Sequence, residues 1–404
     1  MGRMYGPLSP EYRLLARAVA PPGLADRSGR ATVPPDDPPD WAEGLRLARW
    51  HRVSPLLSRH AKLCGEGTVP AGVQAELAGD RLRAGAENVC RLSALRKVTD
   101  ALAQEGVAVM ALKGVALLDL AYPDVSLRPM VDIDLLVPPD DIARAEAVIL
   151  DLGFISARPA AADGTPGGPR QSKYAYPLLV RPDGRVCIDL HRHLLPGAAF
   201  DLAGFWDRSR PSEAEGYRLP AAEDLLLHTG AHFFKDRLRR SSGSFGQLAD
   251  VAWLCHRHAV DWDQLVARAQ ACGLHGRLFL ALDATNELIA PVVPPSALAA
   301  LCPSSYSPSQ GRRFIQRRVL DTRTWADPGS FAKLPGNRLN ANRRPFRRVL
   351  PSHQDLASRY GRSAGGAGSY ARLYLARLRA AAPGLRPSRL PGDLLLTRWM
   401  RSLA

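Results

Sequence analysis

Val131-Asp132-Ile133-Asp134-Leu135-Leu136-Val137 alternates two carboxylates with apolar residues. Successive side chains of a strand point to opposite faces, so Asp132 and Asp134 project side by side while Ile133 and Leu135 enter a core. Neighbouring carboxylates repel each other unless a cation lies between them, and hard oxygen donors suit Mg²⁺. The pair therefore reads as half of a divalent-metal site, although a lone D-x-D is a weak signal that solvated strand carboxylates share.

Its surroundings sharpen that reading. Upstream, Gly106-Val107-Ala108-Val109-Met110-Ala111-Leu112 reads as a short apolar strand ending at Lys113-Gly114, with a helix starting at Val115-Ala116-Leu117-Leu118. A glycine at a strand-to-helix turn lets backbone N–H groups approach a phosphate, and the helix N-terminus favours the anion. Downstream, Val186-Cys187-Ile188-Asp189-Leu190-His191 is a second alternating strand with Asp189 and His191 on one face, which supplies a third carboxylate.

Leu112-Lys113-Gly114, Tyr122-Pro123-Asp124, Arg128, Asp132-Ile133-Asp134-Leu135-Leu136-Val137 and Asp189-Leu190-His191, in this order, resemble the nucleotidyltransferase superfamily with its polymerase-beta-like fold. Specifically, they resemble its poorly characterised bacterial branch marked by L-K-G and D-I-D-L-L-V. The resemblance spans roughly residues 40 to 290, including His51-Arg52-Val53-Ser54-Pro55-Leu56-Leu57 and Leu248-Ala249-Asp250-Val251-Ala252-Trp253-Leu254. Better-studied members carry Gly-Ser at the phosphate turn and a shorter gap to the paired aspartates. Here Lys113-Gly114-Val115 stands there, about eighteen residues before Asp132, so either Lys113 replaces the serine or the activity differs.

The resemblance implies in-line transfer of an NMP group from an NTP such as ATP to an acceptor that is a small molecule, a peptide or a protein. Two Mg²⁺ or Mn²⁺ ions about 3.5–4 Å apart would neutralise the attacking and leaving oxygens. Asp132 and Asp134 would bridge the ions, and Asp189 would complete one shell and help deprotonate the acceptor hydroxyl. Gly114 would admit the nucleotide phosphates, Lys113 and Arg128 would balance their charge, and His191 would support a ligand from behind. Each has a plainer alternative: Lys113 as a solvated strand-end lysine, Arg128 paired with Asp124 or Asp119, His191 packed in the core. Two further readings compete. One is an inactive relative that binds a nucleotide or a partner; the other is a nucleic-acid-binding protein acting through its tail.

The chain's 404 residues allow several domains, and 46% hydrophobic residues fit a folded protein. No apolar run nears twenty residues and the first thirty lack a signal-peptide core, which predicts a cytoplasmic protein without a transmembrane segment. Six scattered cysteines form no C-x-x-C pair. Cys255-His256-Arg257-His258 reads as a helix-end cap, and His228 and His232, one helical turn apart, read as core or acceptor-pocket residues rather than zinc ligands. The net charge of +15 is concentrated: residues 303–404 hold 20 Lys+Arg and 4 Asp+Glu, a net of +16. Arginine outnumbers lysine 48 to 6 in the whole chain, which reads as a compositional bias and makes a nucleic-acid partner for the tail the less favoured outcome.

These residues need elements to position them. Periodicity predicts helices over 41–60 and 71–105, the latter with Leu77, Leu82, Ala86, Val89, Leu92, Leu95, Val98 and Leu102 on its apolar face. A helix over 142–152 follows the D-I-D strand. A flexible loop over 157–171 precedes a hairpin of 174–180 with 185–190 across Pro182-Asp183-Gly184. Helices follow over 221–234, 245–258, 262–272 and 278–289. The predicted class is α+β, a nucleotidyltransferase-type mixed sheet flanked by helices with a helical bundle after it. The expected division is an extension (1–40), a helical lead-in (41–105), the core (106–220), a helical domain (221–302) and a basic appendage (303–404). Within the appendage, short helices are expected over 370–381 and 394–400.

Overall fold

The computed structural model describes residues 8–24, 37–156, 178–195, 198–213, 216–237 and 245–320. The expected loop over 157–171, the first part of the hairpin and the helices over 370–381 and 394–400 lie outside the described residues.

Every residue of β2 (Ile133–Leu136) is buried, as suits a strand covered on both faces. It sits at the middle of a seven-stranded mixed sheet of order β3-β4-β5-β2-β1-β7-β6. The other strands are β1 (Met110–Ala111), β3 (Ile155–Ser156), β4 (Leu179–Val180), β5 (Cys187–His191), β6 (Arg210–Pro211) and β7 (Arg218–Leu219). β2 runs parallel to β5 and antiparallel to β1, and β1 runs parallel to β7. β4 and β5 form the predicted hairpin, with Val180 opposite Cys187 and Gly184 at φ 71, the positive φ that its turn requires.

Helices flank this sheet: α1 (Pro10–Val19), α2 (Trp41–Trp50), α3 (Ser54–Ala61), α4 (Ala71–Gln104), α5 (Lys113–Leu120), α6 (Ile142–Asp151) and α7 (Leu202–Asp207). A helical group follows it: α8 (Ala222–Arg237), α9 (Phe245–Arg257), α10 (Trp262–Ala271), α11 (His275–Leu288) and α12 (Pro295–Leu301). The α+β class expected from the sequence is the class observed. Of a second structural unit, residues 236–237 and 307–320 are described, the latter as α13 (Pro308–Ile315) and a π-helical turn over Gln316–Leu320. No helix among the described residues is long and apolar enough to cross a membrane, and all six cysteines are free.

Three details depart from the sequence reading. The helix expected over 41–60 is broken: Arg52 takes φ 57 and Pro55 sits in the first turn of α3, where its missing N–H costs nothing. Residues 10–19 form α1, whose Leu14, Leu15 and Val19 are buried, and the Trp253 Nε1–H donates to the Val19 carbonyl at 2.9 Å. On α4, Leu82 and Val89 are exposed, 75% and 58%, while the buried stripe includes Asp80, Asn88 and Arg91. The apolar period drifts off the buried face there because polar contacts occupy it.

One packing detail predicts a pH response. His60 on α3 is half-buried, and its burial, with the charges of Arg17 and Arg59, pushes its pKa down to about 4. Between the unfolded value near 6.5 and about 4 the unfolded chain takes up a proton that the folded chain refuses, so stability falls as pH falls through that window. His60→Gln is expected to remove this part of the acid sensitivity, at most about 3 kcal/mol, in urea denaturation at pH 7 and pH 4.5. Identical pH slopes for the variant and the parent would contradict it.

Candidate active site

The register of two strands builds the site. In the parallel pairing of β2 with β5, Asp134 lies directly opposite Asp189, so both carboxylates leave the same face at the same level. Ile133 and Leu135, on the other face, are fully buried. His191, two residues beyond Asp189, turns its Nε2 to Asp134 Oδ1 at 2.8 Å and to Asp189 Oδ2 at 3.3 Å. One donor atom each from Asp134, Asp189 and His191 lie within 4.8 Å of one another, the arrangement needed to share a cation. Among the described residues Asp132 does not join Asp134 and Asp189 in such a set. It precedes β2 and acts on the group through its charge.

Lys113 enters from the other side of β2. The Leu112 N–H donates to the Asp134 carbonyl at 3.0 Å, which sets the following residue beside the Asp134 side chain. Lys113 Nζ donates to Asp134 Oδ1 in an ion pair whose carboxylate side is 4% exposed. It is not a solvated strand-end lysine. The backbone at Lys113 has φ 42, an uncommon conformation for a side-chain-bearing residue, at the first position of α5. No side chain caps that helix, so its first amides keep their donors for another partner.

These neighbours separate the carboxylates electrostatically. Burial works to raise the pKa of Asp134, but the Lys113 ammonium and the His191 hydrogen bond outweigh it and hold the group far below the usual carboxylate range. Burial and the charge of Asp134 push Asp132 upward, with Lys113 opposing them. Burial lowers the Lys113 and His191 values, and the carboxylates they contact reverse the sign, so both bases are raised.

Arg128 is paired, but with neither aspartate anticipated. Its Nε and NH2 donate to both oxygens of buried Asp250 on α9, at 2.8 and 3.0 Å, and the Tyr122 hydroxyl donates to Asp250 at 2.9 Å. Asp124 instead accepts from Arg81 on α4, and Asp119 accepts from Ser212 and Tyr217. A Cβ on Gly114 would meet Met130 at 3.0 Å and Arg128 NH1 at 3.2 Å, so a glycine is needed for the turn to pack against the 128–130 segment.

Sequence reasoning missed what holds that segment. Asn88, fully buried on α4, donates to the carbonyls of Val125 and Arg128 at 2.7 and 2.8 Å and accepts from the Met130 N–H at 3.2 Å. A polar residue one helical turn beyond Ala84 on the buried stripe was the available signal. Asn88→Ala is expected to leave the buried Met130 N–H and the part-buried Val125 and Arg128 carbonyls without this partner and to cost about 2–4 kcal/mol in chemical denaturation. A loss below about 0.5 kcal/mol would mean that water replaces the amide. His258, at the end of α9, places Nε2 2.8 Å from the Leu120 carbonyl, so it caps α5 rather than its own helix. His228 is fully buried, its ring 6.0 Å from that of His232, and the pair joins no potential metal-binding group among the described residues.

A mixed sheet that sets carboxylates of neighbouring strands beside a strand-to-helix turn agrees with what the sequence comparison finds. The model of the family described as "Uncharacterised nucleotidyltransferase" matches residues 37–290, well over half of the chain, and the chain belongs to that family. No curated protein matches it. Among solved structures, that of the antibiotic-resistance factor ANT(2'')-Ia is similar at 14% identity, covering 45% of this chain and 91% of that one, with a TM-score of 0.32.

Proposed function

We propose that this chain is a divalent-metal-dependent enzyme that transfers an NMP group from an NTP to an acceptor bearing a nucleophilic group. The observation that carries the reading is the register of Asp134 with Asp189 on adjacent parallel strands, with Lys113 and the uncapped start of α5 beside them. The donor set suits a divalent ion: two carboxylates favour Mg²⁺, and the His191 nitrogen widens the choice to Mn²⁺. Asp134 and Asp189, with His191, would hold it, Asp132 would add negative charge beside them, and the bound ion would supply charge neutralisation and a fixed orientation for the reacting phosphate.

The chain's own groups do the remaining work. The first amides of α5 and the Lys113 ammonium bind the triphosphate oxygens, and Gly114 keeps that turn close to the 128–130 segment. Arg128, locked by Asp250 through Nε and NH2, keeps NH1 on the side of Gly114, where it adds positive charge. Asp189, more exposed than Asp134, accepts the proton of the incoming acceptor group.

The test is incubation of the chain with α-labelled NTPs, Mg²⁺ and a cell extract, reading pyrophosphate and the labelled species. Label transfer with pyrophosphate release is expected, and Asp189→Ala should lose both while its melting curve stays cooperative. The ion pair of Lys113 with Asp134 favours a second reading, a relative that binds nucleotide without turnover. Saturable NTP binding with no pyrophosphate under any divalent ion would establish that reading and overturn the first.

A further inference from the structure

Asp134 Oδ1 is committed twice, to Lys113 Nζ and to His191 Nε2. The side chain is almost wholly buried, so solvent has little access to that oxygen. The charges of Asp189 and Asp132 act on Lys113 as well. The ammonium therefore stands among the carboxylates that a divalent ion would have to share, so an ion taking Asp134 Oδ1 must displace it. Its tether permits that. The backbone of Lys113 is anchored at the start of α5, whereas the four-carbon stem lets Nζ turn from Asp134 towards an anion at the first amides of that helix.

We propose that Lys113 is an internal counter-cation that holds the carboxylate site closed to a divalent ion until a triphosphate draws its ammonium away, which couples metal and nucleotide binding. This rests on reading Asp134 and Asp189 as metal ligands. It gives the Lys-Gly sequence at this turn a role that a small hydroxyl residue lacks. Metal does not occupy the site alone, and nucleotide and metal each raise the other's affinity by the same factor.

The experiment is titration of the full chain with Mn²⁺, read by electron paramagnetic resonance, with and without a non-hydrolysable NTP, for the parent, Lys113→Met and Lys113→Gly. Lys113→Gly also relieves the positive φ, so it covers the case in which Lys113→Met does not fold. The parent should bind Mn²⁺ weakly until nucleotide is added, and both variants should bind Mn²⁺ alone about tenfold or more tighter than the parent, with a smaller further gain from nucleotide. Equal Mn²⁺ affinity of parent and variants without nucleotide would overturn the proposal and leave the metal-site reading standing. Mn²⁺ binding by none of the three, with or without nucleotide, would overturn both. Should neither variant fold, crystals of the parent with Mn²⁺ and the analogue decide: Lys113 Nζ on a phosphate oxygen supports the proposal, and Nζ still on Asp134 beside bound Mn²⁺ overturns it.

Discussion

Asp134→Asn is expected to abolish nucleotidyl transfer and to cost about 3–5 kcal/mol of stability at neutral pH, whereas Asp132→Asn abolishes transfer and leaves stability unchanged or raised. The carboxylates differ because their surroundings do. Asp134 is buried against Lys113 and His191, so its folded pKa is depressed; the stability it contributes is present above the unfolded value near 3.9 and is lost when the charge is removed. Asp132 is shifted the other way, so at neutral pH its ionisation opposes folding and an asparagine relieves that cost. From the sequence alone, like-charge repulsion predicts that neither substitution destabilises the fold. The cations around Asp134 correct that expectation for one of the two. Pyrophosphate release and urea denaturation of both variants check the prediction. Equal stability losses would mean that the pair acts as one electrostatic unit.

Asp250→Ala is expected to cost about 3–5 kcal/mol, because it strands the Arg128 guanidinium in a nearly closed environment and removes the partner of the Tyr122 hydroxyl. Arg128→Met should cost a similar amount, since it leaves the Asp250 carboxylate, 3% exposed, uncompensated. The double variant Arg128→Met/Asp250→Leu should recover much of the loss, as apolar replacement of a buried ion pair commonly does. Its nucleotide affinity should stay low if Arg128 contributes charge at Gly114. Denaturation of the three variants as a thermodynamic cycle reads the coupling. Additive losses would show that Arg128 and Asp250 are held by other contacts.

The site was more legible in the sequence than the frame around it. Alternation placed Asp132, Asp134, Asp189 and His191 on strand faces, and the register of β2 with β5 brings Asp134, Asp189 and His191 together. Alternation has a period of two and survives in short segments, so it can be read locally. Pairing between distant segments leaves no such trace. Nothing near Arg128 points to Asp250, 122 positions later, and nothing near Asn88 points to a loop about forty residues on. The buried polar stripe of α4 misled the apolar period for the same reason: Asp80 and Asn88 are buried against tertiary partners, Arg49 for Asp80 and the 125–130 segment for Asn88. The break between α2 and α3 was signalled by Pro55, but the apolar spacing on both sides of it masked the signal.

We propose above all that Asp134 and Asp189, with the charge of Asp132 beside them, gather the divalent metal that acts on a nucleotide. Anomalous diffraction from crystals grown with Mn²⁺ and a non-hydrolysable NTP tests it most directly. The expected result is a Mn²⁺ peak about 2.0–2.3 Å from carboxylate oxygens of Asp134 and Asp189, with the triphosphate against the first turn of α5. Nucleotide bound with no peak at these carboxylates, or a peak elsewhere on the chain, would contradict it.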